Sequence, residues 1–274
     1  MTSSVVATDV VLAYGSTIAV DRSSFEIPAG GVTAVIGPNG SGKSTLLGAI
    51  AGLISPKEGS IVVAARADGA RRLSYVLQTT RVNDSLPVTV REVVLMGRFA
   101  DAGPFRSVGK AEDRAAVQEA MERVGITDLA NRHLRELSGG QRQRVFVAQG
   151  LAQEHDLLLL DEPMTGIDIA AAQAIDHVIH DERTRGCAIV MTTHDLSEAQ
   201  VADHVILVSG RVVASGSPAD VLTRDHLNEA YGSSFLHSAE GGWMLDDPAH
   251  SPADHEHPHG GLPSHRLPER PTEG

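Results

Sequence analysis

The run Gly37-Pro38-Asn39-Gly40-Ser41-Gly42-Lys43-Ser44-Thr45 sets a glycine five positions ahead of a Gly-Lys-Ser triplet. That spacing suits a phosphate chain. Glycines let the backbone curl around phosphate oxygens with no Cβ in the way. The N–H groups so exposed, and the helix expected to follow, supply partial positive charge. On this reading Lys43 reaches the β- and γ-phosphates, the Ser44 hydroxyl binds Mg²⁺, and Thr45 donates to a neighbouring phosphate. Two carboxylates complete the chemistry. Asp161 and Glu162 follow Leu157-Leu158-Leu159-Leu160, an apolar run that reads as a buried strand. Acids at the carboxyl end of such a strand stand where α/β sheets place their ligands. Asp161 is expected to hold Mg²⁺, and Glu162 to polarise an attacking water. Phosphoryl transfer needs placement and charge compensation more than covalent help.

A second anion-binding feature is Leu137-Ser138-Gly139-Gly140-Gln141. Ser138 and the glycines precede a helix, so a hydroxyl and backbone donors converge on its positive end. Taken alone, Ser-Gly-Gly is also an ordinary helix cap. Two anion sites in one chain make sense if the second meets a phosphate held elsewhere.

The elements that must position these residues are legible. Residues 5–14 read as a strand ending at Tyr14-Gly15, and 17–27 as a further strand pair closed by Pro28-Ala29-Gly30-Gly31. Residues 32–37 form an apolar strand that runs into the glycine loop, and 44–53 a helix. Strand, glycine loop and helix in succession are the α/β pattern. The stretch of about 80–155 is mostly helical. Within it Val117, Met121 and Val124 fall at i, i+4 and i+7 of one helix. Residues 187–194 read as a second buried strand, and 204–215 as a hairpin turning at Ser209-Gly210.

With 274 residues and 42 % hydrophobic composition, the chain is long enough for a large buried core. Its formal charge of −12 makes nucleic acid and anionic lipid poor partners. Cys187 is the single cysteine, so no intrachain disulfide forms and a reducing compartment is expected. The N-terminus lacks the basic start and apolar run of a secretory leader. No apolar stretch approaches the roughly 20 residues of a membrane span. Any membrane must therefore be reached through another protein.

The phosphate loop, Leu137–Gln141, the Leu157–Glu162 run, Gln78 after a strand and His194 after another occur in the order found in the ATPases of ABC transporters, and the chain resembles that family over roughly residues 5–235. The resemblance implies an α/β fold: a P-loop ABC ATPase with a RecA-like parallel-sheet core, an antiparallel β subdomain and a helical insertion. It implies a head-to-tail homodimer with two ATP molecules, each between the phosphate loop of one subunit and Leu137–Gln141 of the other. Tyr14 then matches the aromatic that stacks on adenine. Gln78 matches the glutamine that touches Mg²⁺ and senses the transport partner, Asp168 the interface aspartate, and His194 the histidine that contacts the γ-phosphate and steadies Glu162. The chain departs from the common pattern at Leu77, Gln149 and His155, where many relatives carry proline, arginine and proline.

Cargo is less directly written. Residues 86–99 are similar to the matching segment of importer ATPases for manganese and zinc, and somewhat to those for iron chelates and heme. This implies a subunit that hydrolyses ATP to energise uptake of a divalent metal, zinc or manganese. It would work with separate integral membrane permease subunits and, indirectly, an extracytoplasmic binding protein. It would be cytoplasmic and peripheral on the inner face of the membrane. The alternatives are an iron-chelate or heme importer ATPase, or an ABC ATPase with no transport role. Residues 1–237 read as the ATPase domain and 238–274 as a disordered tail holding five of the thirteen histidines and six of the thirteen prolines. His250, His255, His257, His259 and His265, joined by Asp254 or Glu256, form a candidate Zn²⁺ site there; a solvated polar tail is the competing reading.

Overall fold

The computed structural model describes residues 3–64, 72–77, 87–99 and 108–232, with the backbone of two further strands at 235–237 and 243–245. In chain order, β1 (Ser3–Tyr14), β2 (Thr17–Pro28) and β3 (Gly31–Ile36) precede α1 (Lys43–Ile50). Then come β4 (Glu58–Val63), β5 (Leu73–Val76), α2 (Val90–Met96), α3 (Ala111–Arg123) and α4 (Gly139–Ala152). The remainder is β6 (Leu157–Leu160), α5 (Ile169–Thr184), β7 (Ala188–Thr192), α6 (Leu196–Val201), β8 (His204–Val208), β9 (Val212–Gly216), α7 (Pro218–Val221) and α8 (Arg224–Tyr231). The chain divides after Ser233. In the second unit β10 (Phe235–His237) pairs antiparallel with β11 (Trp243–Leu245). β11 falls within the stretch whose composition suggests a tail.

Six strands form the central sheet in the order β5-β6-β7-β3-β8-β9. All neighbours are parallel except the β8–β9 hairpin. The four leucines of β6 show why a fully apolar strand belongs here. Leu158 and Leu160 pack with Ile189 and Met191 into a core shared with α2, α3, α4 and α5. Leu157 and Leu159 pack with Ala188 and Val190 into a second core with Leu46 and Leu47 of α1 and with β1 and β2. Side chains alternate across a strand, so both faces of the sheet are covered and both need apolar residues. Each such side chain contributes about 1.5–3 kcal/mol on burial.

The second cover is a three-stranded antiparallel sheet, β2-β1-β4. Residues 17–27 are one strand here, not the strand pair their alternation suggested. Nothing between Thr17 and Ile27 supplies the glycine or proline of a tight turn. β2 takes up its irregularity as register shifts opposite Val10–Leu12 and Leu12–Ala13, and β1 has a shift of its own between Ala7 and Val10. There Asp9 has φ 49° and its N–H donates to Ser24 Oγ at 2.9 Å.

Buried charge ties the helices of the insertion to one another, and α3 to α5 outside it. Arg98 Nε lies 3.1 Å from Asp113 Oδ1, with both side chains almost fully buried. Arg98 Nη1 also donates to the Ala152 carbonyl at the end of α4, at 2.8 Å. Asp113 Oδ2 in turn accepts from the backbone N–H of Gly109 and Lys110, closing the start of α3. At the other end of α3, Arg123 Nη1 lies 2.6 Å from Glu182 Oε1 in α5.

Candidate functional site

The site grows from one sheet edge. β6, β7 and β3 are adjacent and parallel, and their carboxyl ends are level: Leu160 pairs with Met191, and Thr192 with Val35. Each chain leaving that edge carries a predicted functional residue. Glycine is required at two points of the loop after β3. A Cβ on Gly37 would stand 1.9 Å from the Val208 carbonyl oxygen in β8, and one on Gly42, at φ 106°, would stand 2.5 Å from Val20 Cγ2. The loop is thus clamped between the sheet and β2 before it enters α1. Lys43 is buried, and its Nζ donates to the carbonyls of Gly37 and Pro38 at 2.8 and 3.0 Å. Burial lowers the pKa of this ammonium, while the carboxylates of Glu162 and Asp161 oppose the shift. Ser41 Oγ is buried with no hydrogen-bond partner among the described residues, an orphaned donor within the loop. Thr45 is buried at the start of α1.

Across from the loop, Asp161 is held by three hydroxyls. Ser44 Oγ donates to its Oδ1 at 3.1 Å and Thr192 Oγ1 to the same atom at 2.6 Å. The Tyr75 hydroxyl lies 3.5 Å from Oδ2. Burial first, then the Asp161 charge, pushes the Tyr75 phenol well above its usual range, so it stays a donor. Thr192 Oγ1 also accepts from the Glu162 N–H at 2.7 Å. Glu162 has φ 45°; only it and Asp9 among the described non-glycine residues have positive φ. Such a backbone costs on the order of 1–3 kcal/mol and concentrates at functional sites. His194 is exposed on the loop just beyond β7, on the same edge.

Tyr75 and Thr192 were not singled out by the sequence. Tyr75 sits on β5 beside β6, and Thr192 closes β7. A hydroxyl at the end of a strand that leads to His194 was the available signal. Gln78 lies outside the described residues, as do the tail histidines His250, His255, His257, His259 and His265.

Ser138 begins α4 with reciprocal bonds: its Oγ accepts from the Gln141 N–H at 3.3 Å, and Gln141 Oε1 accepts from the Ser138 N–H at 3.0 Å. A Cβ on Gly140 would stand 2.7 Å from Asp168 Oδ2, so the signature helix abuts the aspartate directly. Asp168 also caps α5, its Oδ1 accepting from the Ala171 N–H at 2.8 Å. Leu137 and Val145 belong to the core beneath α2–α5, whereas Leu46 and Leu47 behind the phosphate loop belong to the core on the other sheet face. Tyr14, at the end of β1, is largely exposed.

The family model for ABC transporters matches residues 20–165, a span that includes the phosphate loop, Leu137–Gln141 and both acids. The chain belongs to the ABC transporter family. Among curated ABC proteins, it is 40 % identical over 227 residues to the zinc transport system ATP-binding protein TroB of Treponema pallidum, covering 82 % of this chain and 85 % of that one. It is 39 % identical over 234 residues to the chelated iron transport system membrane protein YfeB of Yersinia pestis, covering 84 % and 79 %. It is 36 % identical over 220 residues to the manganese transport system ATP-binding protein MntA of Synechocystis, covering 78 % and 84 %. Among solved structures it resembles MJ1267, an ATP-binding cassette of an ABC transporter in its ADP conformation, with a TM-score of 0.70 and 25 % identity over 84 % of this chain and 99 % of that one. The α/β P-loop ATPase fold expected of an ABC chain is the fold observed. Among the described residues, no helix is long and apolar enough to cross a membrane.

Proposed function

We propose that the protein is the ATP-hydrolysing subunit of an ABC importer that energises uptake of a divalent metal ion, zinc or manganese, through a separate membrane permease. One observation carries the enzymatic part: Ser44 Oγ and Asp161 Oδ1, from the phosphate loop and the acid-terminated strand, stand 3.1 Å apart. A hydroxyl and a carboxylate at that separation fit one hard cation with oxygen ligands, and the adjoining glycine loop fits a polyphosphate. Bound Mg²⁺ would neutralise charge on the phosphate oxygens.

The residues divide the work. Gly37 and residues 39–42 present backbone N–H groups to the phosphates, and Lys43 exchanges its loop carbonyls for phosphate oxygens. Ser44 and Asp161 hold the cation, with Gln78 as a further ligand. Glu162 orients and polarises the attacking water, and His194 holds the γ-phosphate. Tyr14 stacks on the base. Thr192 and Tyr75 are positioning residues, fixing the carboxylate that meets the cation. Ser138, Gly139 and Gly140 complete the site of a second copy, with Asp168 supporting that contact. The placement of the phosphate loop and the signature over different cores favours this trans arrangement. The chain then sits on the inner membrane face through its permease.

For cargo, the likeness to TroB of a zinc transport system and MntA of a manganese transport system supports zinc or manganese. YfeB supports chelated iron as the second reading. Turnover measured with and without the cognate permease, together with metal uptake in a strain lacking the subunit, tests the proposal. Loss of zinc or manganese uptake, rescued by the wild type and not by Glu162→Gln, is the expected result. Uptake of both metals unchanged with chelated-iron uptake lost selects the second reading.

A further inference from the structure

The sheet edge opposite the phosphate loop carries chemistry that ATP turnover does not use. His155 lies just ahead of β6, Cys187 just ahead of β7, and Glu182 near the end of α5. One ligand atom from each lies within 4.8 Å of the other two. All three side chains are almost fully buried. β6 and β7 separate this cluster from Asp161 and Thr192, and at roughly 3.3 Å per residue a strand of this length spans ~13–16 Å.

We propose that His155 Nε2, a Glu182 carboxylate oxygen and Cys187 Sγ bind a divalent transition cation of the Zn²⁺ class. The donor set is one imidazole, one thiolate and one carboxylate, which suits a borderline-soft ion and not Mg²⁺. Three features favour ligation over a plain ion pair. His155 Nδ1 donates to the Gln153 carbonyl at 2.7 Å, the outer bond that ligating histidines use to aim Nε2. Nε2 then faces Glu182 Oε2 at 3.2 Å, close to the roughly 3.3 Å expected between ligands of one tetrahedral ion. Arg123 pairs with the other oxygen, Oε1, at 2.6 Å and leaves Oε2 to face the imidazole. The cluster lines a cavity of about 760 Å³ together with Glu112, Glu119 and the guanidinium groups of Arg72, Arg98, Arg123 and Arg185. In the metal-free protein a proton bridges Nε2 and Oε2. Binding releases that proton and the thiol proton, and the cation takes their place. The ion would cross-link the α4–β6 connection, α5 and the start of β7. The site is independent of the transport reading, since metal binding and ATP turnover can each fail alone.

Cobalt(II), titrated alone into the full-length chain, tests this. Cys187 is the sole cysteine, so a thiolate-to-cobalt charge-transfer band reports only this site; tail imidazoles cannot produce one. The band is expected to saturate at one equivalent per chain, to vanish in Cys187→Ser, and to need at least tenfold more cobalt in His155→Gln. No band at millimolar cobalt overturns the proposal, as does a band of unchanged affinity in His155→Gln. A second measurement needs no variant spectrum: Zn²⁺ should raise the thermal midpoint of the wild type more than that of Cys187→Ser. An equal rise in both places the metal elsewhere and also overturns it.

Discussion

At the residue scale the site is a set of hydroxyls and acids whose partners decide their roles. Glu162 sits on a left-handed backbone and its N–H is held by Thr192. If it polarises the water, Glu162→Gln should cut turnover by about 10²–10⁴-fold, the usual contribution of a general base, with ATP affinity near wild type. Steady-state ATPase rates and nucleotide titration check this; turnover within a few-fold of wild type removes Glu162 from the role. Thr192→Val deletes one donor to Asp161 and the acceptor for Glu162. The expected effect is a Mg²⁺ requirement raised about 10-fold or more, in line with losing an outer-shell partner of a metal ligand. Tyr75→Phe should shift it less, because the hydroxyl is 3.5 Å away and the ring stays. A Mg²⁺ titration of turnover separates the three proteins. A Thr192→Val curve that superimposes on wild type would show that Asp161 needs no such support.

At the element scale the helices of the insertion are joined to one another by charges as well as by apolar packing. Arg98 links α2's end to Asp113 at the start of α3 and to the carbonyl that ends α4. Removing one member of a buried pair costs about 3–5 kcal/mol. Arg98→Ala should therefore lower unfolding stability by that order in urea melts, and a loss under 1 kcal/mol would show that water replaces the guanidinium freely. The segment Val88–Phe99 illustrates how far pattern carries. Val90, Val93 and Val94 fall at i, i+3 and i+4, the spacing of one helix face, and all three are buried in α2. Arg98 gave no such signal. A charged residue in a helical stretch reads as solvent-facing, and burial with Asp113 is visible only when α3 is in place.

For the whole molecule, the phosphate loop and the signature serve different copies on the proposed reading. A mixing experiment tests it. Lys43→Ala lacks a working loop and Ser138→Arg a working signature, so each alone should be inactive. In a head-to-tail heterodimer one composite site collects both defects and the other is intact. Mixing should raise turnover well above the sum of the parents. No gain on mixing would mean that loop and signature act within one chain. Light scattering of Glu162→Gln with Mg-ATP adds a second reading, with a dimer expected and a monomer at saturating nucleotide counting against the arrangement.

The sequence by itself determined the parallel core, the phosphate loop, the acid pair and the capped signature helix. These are local: spacing sets the glycine turn, an unbroken apolar run sets a strand covered on both faces, and Ser138 with Gln141 is a cap written within four positions. Tertiary structure alone decided what surrounds them. It made 17–27 a single strand, paired to β1 along its length through register shifts. It brought Tyr75 and Thr192 onto Asp161, and His155, Glu182 and Cys187 together at the opposite edge. Tyr75, Thr192 and His155 each meet partners tens of positions away through sheet order, and β5-β6-β7-β3 is an order that no local pattern contains.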